Sequence, residues 1–144
     1  MPDAPQTLVH GTCIAVSGEA VLITGASGSG KSSLALQLMA FGADLISDDQ
    51  TRLTRNAGDV IASAPETLVG LIEARGIGIL NAVSGAPARL ALVVDLDHVQ
   101  QKRLPAPMTV CFLGVSVPCL HKVDTMAFPA AILQYLRNGI QKET

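Results

Sequence analysis

VLITGASGSGKSSLALQLM, residues 21–39, joins an apolar strand to an apolar helix through a run of glycines and serines. Residues 25–32 fit the pattern G-x-x-x-x-G-K-[ST], in the context its chemistry needs, a strand before and a helix after. Glycines let the backbone curl so that successive N–H groups converge on an anion, and the helix N-terminus adds partial positive charge. Lys31 neutralises the outer phosphates, and the Ser32 hydroxyl can bind a magnesium ion. Gly25, Ala26, Ser27, Gly28, Ser29, Gly30, Lys31, Ser32 and Ser33 are therefore the expected nucleotide-binding residues. A turn that is merely glycine-rich does not require the lysine, the hydroxyl and both flanking elements together. A degenerate loop that no longer turns over nucleotide keeps the same pattern, so the loop alone fixes no activity.

Upstream, Thr12, Ile14 and Val16 alternate on one face and the pattern breaks at Ser17-Gly18-Glu19, which predicts a hairpin with the strand at 21–24. Downstream, Leu34, Leu38 and Phe41 share a helical face, and Gly42 is the expected stop. ADLISDD is a short strand ending in two acids, and residues 51–65 read as a second hairpin turning at Asn56-Ala57-Gly58-Asp59. The apolar run RLALVVDLD (89–97) suits a central strand, and MTVCFLGVSVPCL (108–120) a further pair near the sheet edge. FPAAILQYLRNG closes the chain with a helix: Pro129 in its first turn, Ile132, Leu133 and Leu136 on one side, and Gly139 as its end. The predicted class is α/β, a P-loop-containing mixed sheet with antiparallel hairpins and flanking helices. One domain is expected over residues 1–144, with a core at 6–140 and short tails at 1–5 and 141–144.

Composition narrows the partners. The 144 residues are 49% hydrophobic and 15% charged, with net charge -2 and 3% aromatic residues. They offer no bulk field for phosphodiester backbones and few rings for stacking bases, so nucleic acid is not an expected partner. Neither a leader nor a membrane-length apolar run is evident, so no membrane partner is expected either. Cys13, Cys111 and Cys119 have unrelated spacings and apolar neighbours, which suits reduced core thiols and a cytoplasmic location.

Four polar groups outside the loop are candidates for chemistry. Asp48 and Asp49 follow a strand expected beside the loop, where one carboxylate can serve magnesium and the other accept a hydroxyl proton. Without the loop, SDDQ would read as a solvated, self-capping turn. Glu73 and Arg75 stand in LIEARGIGILN, where Gly76 and Gly78 imply a constrained backbone; Glu can serve a cation and Arg a phosphoryl oxygen, or the two can simply pair on a hairpin. His10 alone reads as a local hydrogen-bonding residue. Cys119 and His121 are two possible ligands without a second pair, which is poor support for zinc.

Taken in order, HG about fifteen residues before GxSGxGKS, then LISDD, then IEARGIGILN, these segments resemble the catalytic domain of bacterial HPr kinase/phosphorylase over residues 10–96. The third segment looks like that family's Glu-x-Arg-Gly-x-Gly signature. The resemblance implies phosphoryl transfer from ATP, or in some members pyrophosphate, to a serine of an HPr-like phosphocarrier protein, with phosphorolysis as the reverse activity. It implies ATP and Mg2+ as cofactors, Lys31 on the β-phosphate, Ser32 and Glu73 at the metal, and Asp48 as acid/base facing the acceptor serine. Asp49 would assist, His10 would lie near the transferred phosphate and Arg75 would support the site. Three departures stand out. The family's extra N-terminal domain has no counterpart in these residues. Ala26 and Ser33 replace residues that are often acidic, as in the short form of α-proteobacteria. The basic loop near PGRN has no clear match beyond PCLHKVDTMAFP, where Lys122 is the available cation. A homo-oligomer, hexameric as is common in the family, is likewise only implied.

The reading is a protein serine kinase whose exposed docking surface near Asp48 is completed by the C-terminal helix and a neighbouring subunit. A P-loop kinase of a small metabolite would need an enclosing lid, for which the chain shows no insertion. A nucleotide-binding sensor would have less need of Asp48, Asp49 and Glu73.

Overall fold

The computed structural model describes residues 5–141, so most of both expected tails lies outside the described residues. In chain order the elements are β1 (Gln6–Val16), β2 (Glu19–Thr24), α1 (Lys31–Ala40), β3 (Asp44–Ser47), β4 (Gln50–Asn56) and β5 (Asp59–Ser63). After a 3-10 turn come β6 (Leu71–Ala74), β7 (Gly78–Asn81), β8 (Ala88–Val99), β9 (Met108–Phe112), β10 (Val115–Lys122) and α2 (Phe128–Asn138). The large sheet runs β2-β1-β4-β5-β8-β10-β9, with β3 also on β1, while β6 and β7 pair as a separate hairpin. All the strands and both helices expected from the sequence are present. The mixed class holds: β8 is parallel to β2 and β10, whereas β1 is antiparallel to β2, β3 and β4.

The pairing of β2 with β8 closes a ring of five strands, β2, β1, β4, β5 and β8. Cys13, Leu22, Leu53, Val60, Ala62, Leu90 and Val93 gather from all five into one buried cluster. The alternate residues Ile14, Val21, Ile23, Leu92 and Val94 form a second cluster with Leu34 and Leu38 of α1 and Ile132 and Leu133 of α2. Strands with apolar residues on both faces can satisfy two cores at once, which is why β2 and β8 read as unbroken apolar runs. Ser17 (φ 50) and Gly18 (φ 78) form the tight turn between β1 and β2, and Leu113 (φ 50) and Gly114 (φ 80) the turn between β9 and β10. Positive φ at both turn residues matches the twist of the strands they join.

Helix α1 ends at Gly42 as expected. Gly42 (φ 104) donates to the Met39 carbonyl at 3.0 Å and Ala43 to the Leu38 carbonyl at 3.2 Å, the paired bonds of a Schellman stop. Two expectations fail nearby. Phe41 lies past the last helical turn and is exposed rather than packed on the sheet. Cys111 is not a core thiol: alternation along edge strand β9 turns it outward, while Cys13 and Cys119 are buried. Among the described residues, no helix is long and apolar enough to cross a membrane.

Candidate active site

β3 and β4 are two parts of one antiparallel partner of β1. Cys13 pairs with Ser47 and His10 with Gln50, so the register is the same on either side of the break. Between those pairs the chain makes a local excursion at Asp48 and Asp49, opposite Gly11 and Thr12. Asp49 takes φ 67 there, Gly11 N–H donates to the Asp49 carbonyl at 2.9 Å, and Gln50 N–H donates to the Asp48 carbonyl at 2.8 Å. Such interruptions re-aim side chains without losing the sheet. Gly11 is required by space: a Cβ would lie 2.9 Å from the Ile23 carbonyl oxygen and 3.0 Å from Leu22 Cδ1.

The excursion separates the two acids. Asp48 is buried, its Oδ1 accepting from Thr12 Oγ1 at 2.8 Å and Ser32 Oγ at 2.7 Å, and its Oδ2 from Glu73 N–H at 2.9 Å. Asp49 is exposed and accepts from His10 Nε2 at 2.9 Å. Thr12, which the sequence reading passed over, holds both: its hydroxyl also receives the Asp49 N–H at 3.3 Å. The only hint in the sequence was its place directly after His10-Gly11.

The phosphate loop hangs from the end of β2. Lys31 is buried, and its ammonium donates to the Gly25 and Ala26 carbonyls at 2.9 and 3.1 Å. Gly30 (φ 100) starts α1 without a side-chain cap, and no acid occupies the first turn, so the first helical N–H groups are left for an anion. Ser29 Oγ is buried without a hydrogen-bond partner. An uncapped helix start, an orphaned hydroxyl and a buried ammonium together fit a bound phosphate chain. Asp97, a second residue missed in the sequence, fixes the loop by accepting the Ala26 N–H at 2.9 Å. Its signal was an acid closing the apolar run that pairs with the loop strand.

Hairpin β6–β7 brings up the remaining candidates. Ile72 and Ala74 are buried, so Glu73 and Arg75 alternate outward on the opposite face, and among the described residues no salt bridge joins them. Both line a cavity of about 240 Å³ with Thr12, Lys31, Ser32, Ser33 and Asp49. Neither Asp48 nor His10 is among its lining residues. A second cavity, about 200 Å³, lies on the other side of the loop between Ser33, Leu34, Leu96, Lys122 and Phe128. Lys122 and the start of α2 therefore border this second space rather than the one holding Asp49 and Arg75.

Known proteins share this fold and stretches of this sequence. HPr kinase/phosphorylases of Clostridium botulinum (strain Eklund 17B / Type B) and Geobacillus thermodenitrificans are 46% identical over 78 residues and 45% identical over 102. Those matches take in 54% and 65% of this chain but 26% and 33% of the relatives. The chain thus spans about a third or less of the length of these curated relatives. The Hpr(Ser) kinase/phosphatase structure from Coxiella burnetii superposes with a TM-score of 0.77 at 25% identity, covering 92% of this chain and 95% of that one. The model of the HPr serine kinase C-terminal domain matches residues 3–105, and the chain belongs to that family.

Proposed function

We propose that the protein is an ATP- and Mg2+-dependent serine kinase of an HPr-like phosphocarrier, with phosphorolysis of the product as its reverse activity. The observation that carries the reading is the pair of carboxylates on one strand excursion, Asp48 bound to the Ser32 hydroxyl and Asp49 open to the cavity. A module that only sensed nucleotide would need the loop but not a second acid facing the acceptor side. Ser32 Oγ and the Glu73 carboxylate are the groups that would hold magnesium, and Asp48 orients Ser32 for it. When bound, the ion neutralises charge on the transferring phosphoryl group. Lys31 leaves the loop carbonyls for phosphate oxygens, and Arg75 stabilises the transferred group from the far wall. The second cavity, lined by Leu96, Val123 and Phe128, is offered to the nucleoside.

The geometry supports a division of labour different from the one the resemblance implies. Asp48 is buried with three donors and is absent from the cavity wall, whereas Asp49 reaches the cavity and is held by His10. We assign Asp49 to the acceptor serine as acid/base and Asp48 to the Ser32–metal side. An acid/base must come within hydrogen-bond reach of the hydroxyl it serves. A homo-oligomer and a cytoplasmic location belong to the same proposal, supported by exposed apolar side chains on β6–β7 and by free cysteines.

The test is intact-mass detection of phosphate on the HPr-like protein of the same genome, incubated with the purified chain, magnesium and ATP. One phosphate on a serine is expected. Lys31→Ala should lose nucleotide affinity and transfer together. Asp49→Asn should keep nucleotide binding and lose transfer by about a hundredfold or more, while Asp48→Asn should weaken magnesium-nucleotide binding itself. Normal binding by Asp48→Asn with transfer abolished would return the acid/base role to Asp48. Nucleotide binding without any transfer to the carrier would favour a sensor or a metabolite kinase.

A further inference from the structure

Asp95, His98 and His121 meet at the end of the central strands, and none of the three is among the residues lining the two phosphate-loop cavities. His121 on β10 pairs in register with Asp95 on β8, and the next pair is Lys122 with Val99. Three residues of β8, 96–98, are thus taken up in a bulge between those pairs. The bulge folds His98 back over Asp95, where His98 Nδ1 lies 2.7 Å from Asp95 Oδ2. The His98 and His121 rings stack with centroids 5.1 Å apart and planes 26° from parallel. One ligand atom from each of the three residues lies within 4.8 Å of the others. Two of the chain's three histidines are therefore gathered around one carboxylate.

We propose that Asp95, His98 and His121 form a binding site for a divalent transition-metal ion, zinc being the best match. Two imidazoles and a carboxylate are a borderline donor set that suits zinc, cobalt or nickel and not magnesium, which prefers oxygen ligands. A tetrahedral zinc ion with bonds near 2.0–2.1 Å sets its ligand atoms roughly 3.4 Å apart. Rotation of the exposed His98 side chain and the half-buried His121 side chain closes the remaining distance. Asp97 N–H donates to Asp95 Oδ1 at 2.8 Å, which holds the carboxylate with Oδ2 toward the rings, the outer support that metal ligands need. Metal ligation requires the bonded imidazole nitrogens to be free of a proton, and three protein ligands leave a position for water or a fourth group. The same bulge carries Asp97, whose side chain anchors the phosphate loop at Ala26. An ion at this site braces the strand end from which the loop is held.

The test uses the full chain, free of nucleotide, in excess magnesium so that hard-cation sites are saturated. Co2+ is titrated and its visible d–d absorption followed, then Zn2+ is added as competitor. One Co2+ per chain is expected, displaced by Zn2+. His98→Gln and His121→Gln should each weaken binding by about a hundredfold or more, since loss of an outer-shell partner alone costs 10–100-fold. His10→Gln, at the other His–Asp pair, should leave it unchanged. Imidazole 15N resonances of the unmodified chain provide a readout that does not depend on variants folding: Zn2+ should shift His98 and His121 and not His10. Absence of stoichiometric binding in the micromolar range overturns the proposal. So does binding that survives both variants, or a Zn2+ shift confined to His10.

Discussion

Burial pushes the Cys13 thiol far above its ordinary value, and raises that of Cys119 less, with the nearby Asp95 charge adding to it. The thiolate is the reactive form, so a raised and buried thiol is inert. Cys111 points outward from β9. Brief treatment of the native protein with iodoacetamide should therefore modify Cys111 alone, with Cys13 and Cys119 reacting only after unfolding, as read by peptide mass spectrometry. Early labelling of Cys13 would mean that the five-strand ring opens on the labelling timescale. Apolar neighbours made all three cysteines look alike in the sequence; which face of an edge hairpin is solvated depends on what packs beneath it. The two acids show the same limit. Their chemistry was legible beside the phosphate loop, but which one faces the cavity is decided by the φ of Asp49, a backbone state that no local residue preference announces.

Elements were more legible than their assembly. Hairpins, helix stops and the strand–loop–helix unit are written in local patterns, whereas the pairing of β2 with β8 joins residues some seventy positions apart. Closure of the ring could not be read because alternation says which residues are buried and not which strand covers them. Gly11 shows how tightly that closure constrains the site. A methyl group there meets the Ile23 carbonyl oxygen on β2 as well as the Leu22 side chain, and the backbone contact cannot simply swing aside. Gly11→Ala should lower stability by about 1–3 kcal/mol, the usual cost of forcing extra volume into a packed site. It should also shift Asp48 and Asp49, since Gly11 N–H holds the Asp49 carbonyl. The expected outcome is an earlier chemical-denaturation midpoint together with a phosphotransfer rate that falls further than nucleotide affinity does. An unchanged midpoint would show that β1 and β2 can part slightly without penalty.

At the scale of the molecule, hairpin β6–β7 and its flanks carry five of the exposed large apolar side chains among the described residues. Ile77, Ile79 and Val83 are 78%, 64% and 72% exposed, and Val69 and Leu71 are exposed beside them. Scattered apolar side chains are ordinary on a protein surface, whereas several gathered in one region suit an interface. A second copy of the chain is the proposed cover. With a net charge of only -2, electrostatic repulsion between copies is weak. Light scattering behind size-exclusion chromatography should therefore find an assembly larger than one chain. The combined change Ile77→Asp and Ile79→Lys should reduce it to single-chain mass. Ile77 and Ile79 are mostly exposed within the chain, so the isolated chain's stability should change by only about 0.5 kcal/mol. Any larger fall in melting temperature would come from lost association, and it should depend on protein concentration. A single-chain mass for the unmodified protein at tens of micromolar would remove the oligomer, and an assembly that survives both substitutions would move its interface elsewhere.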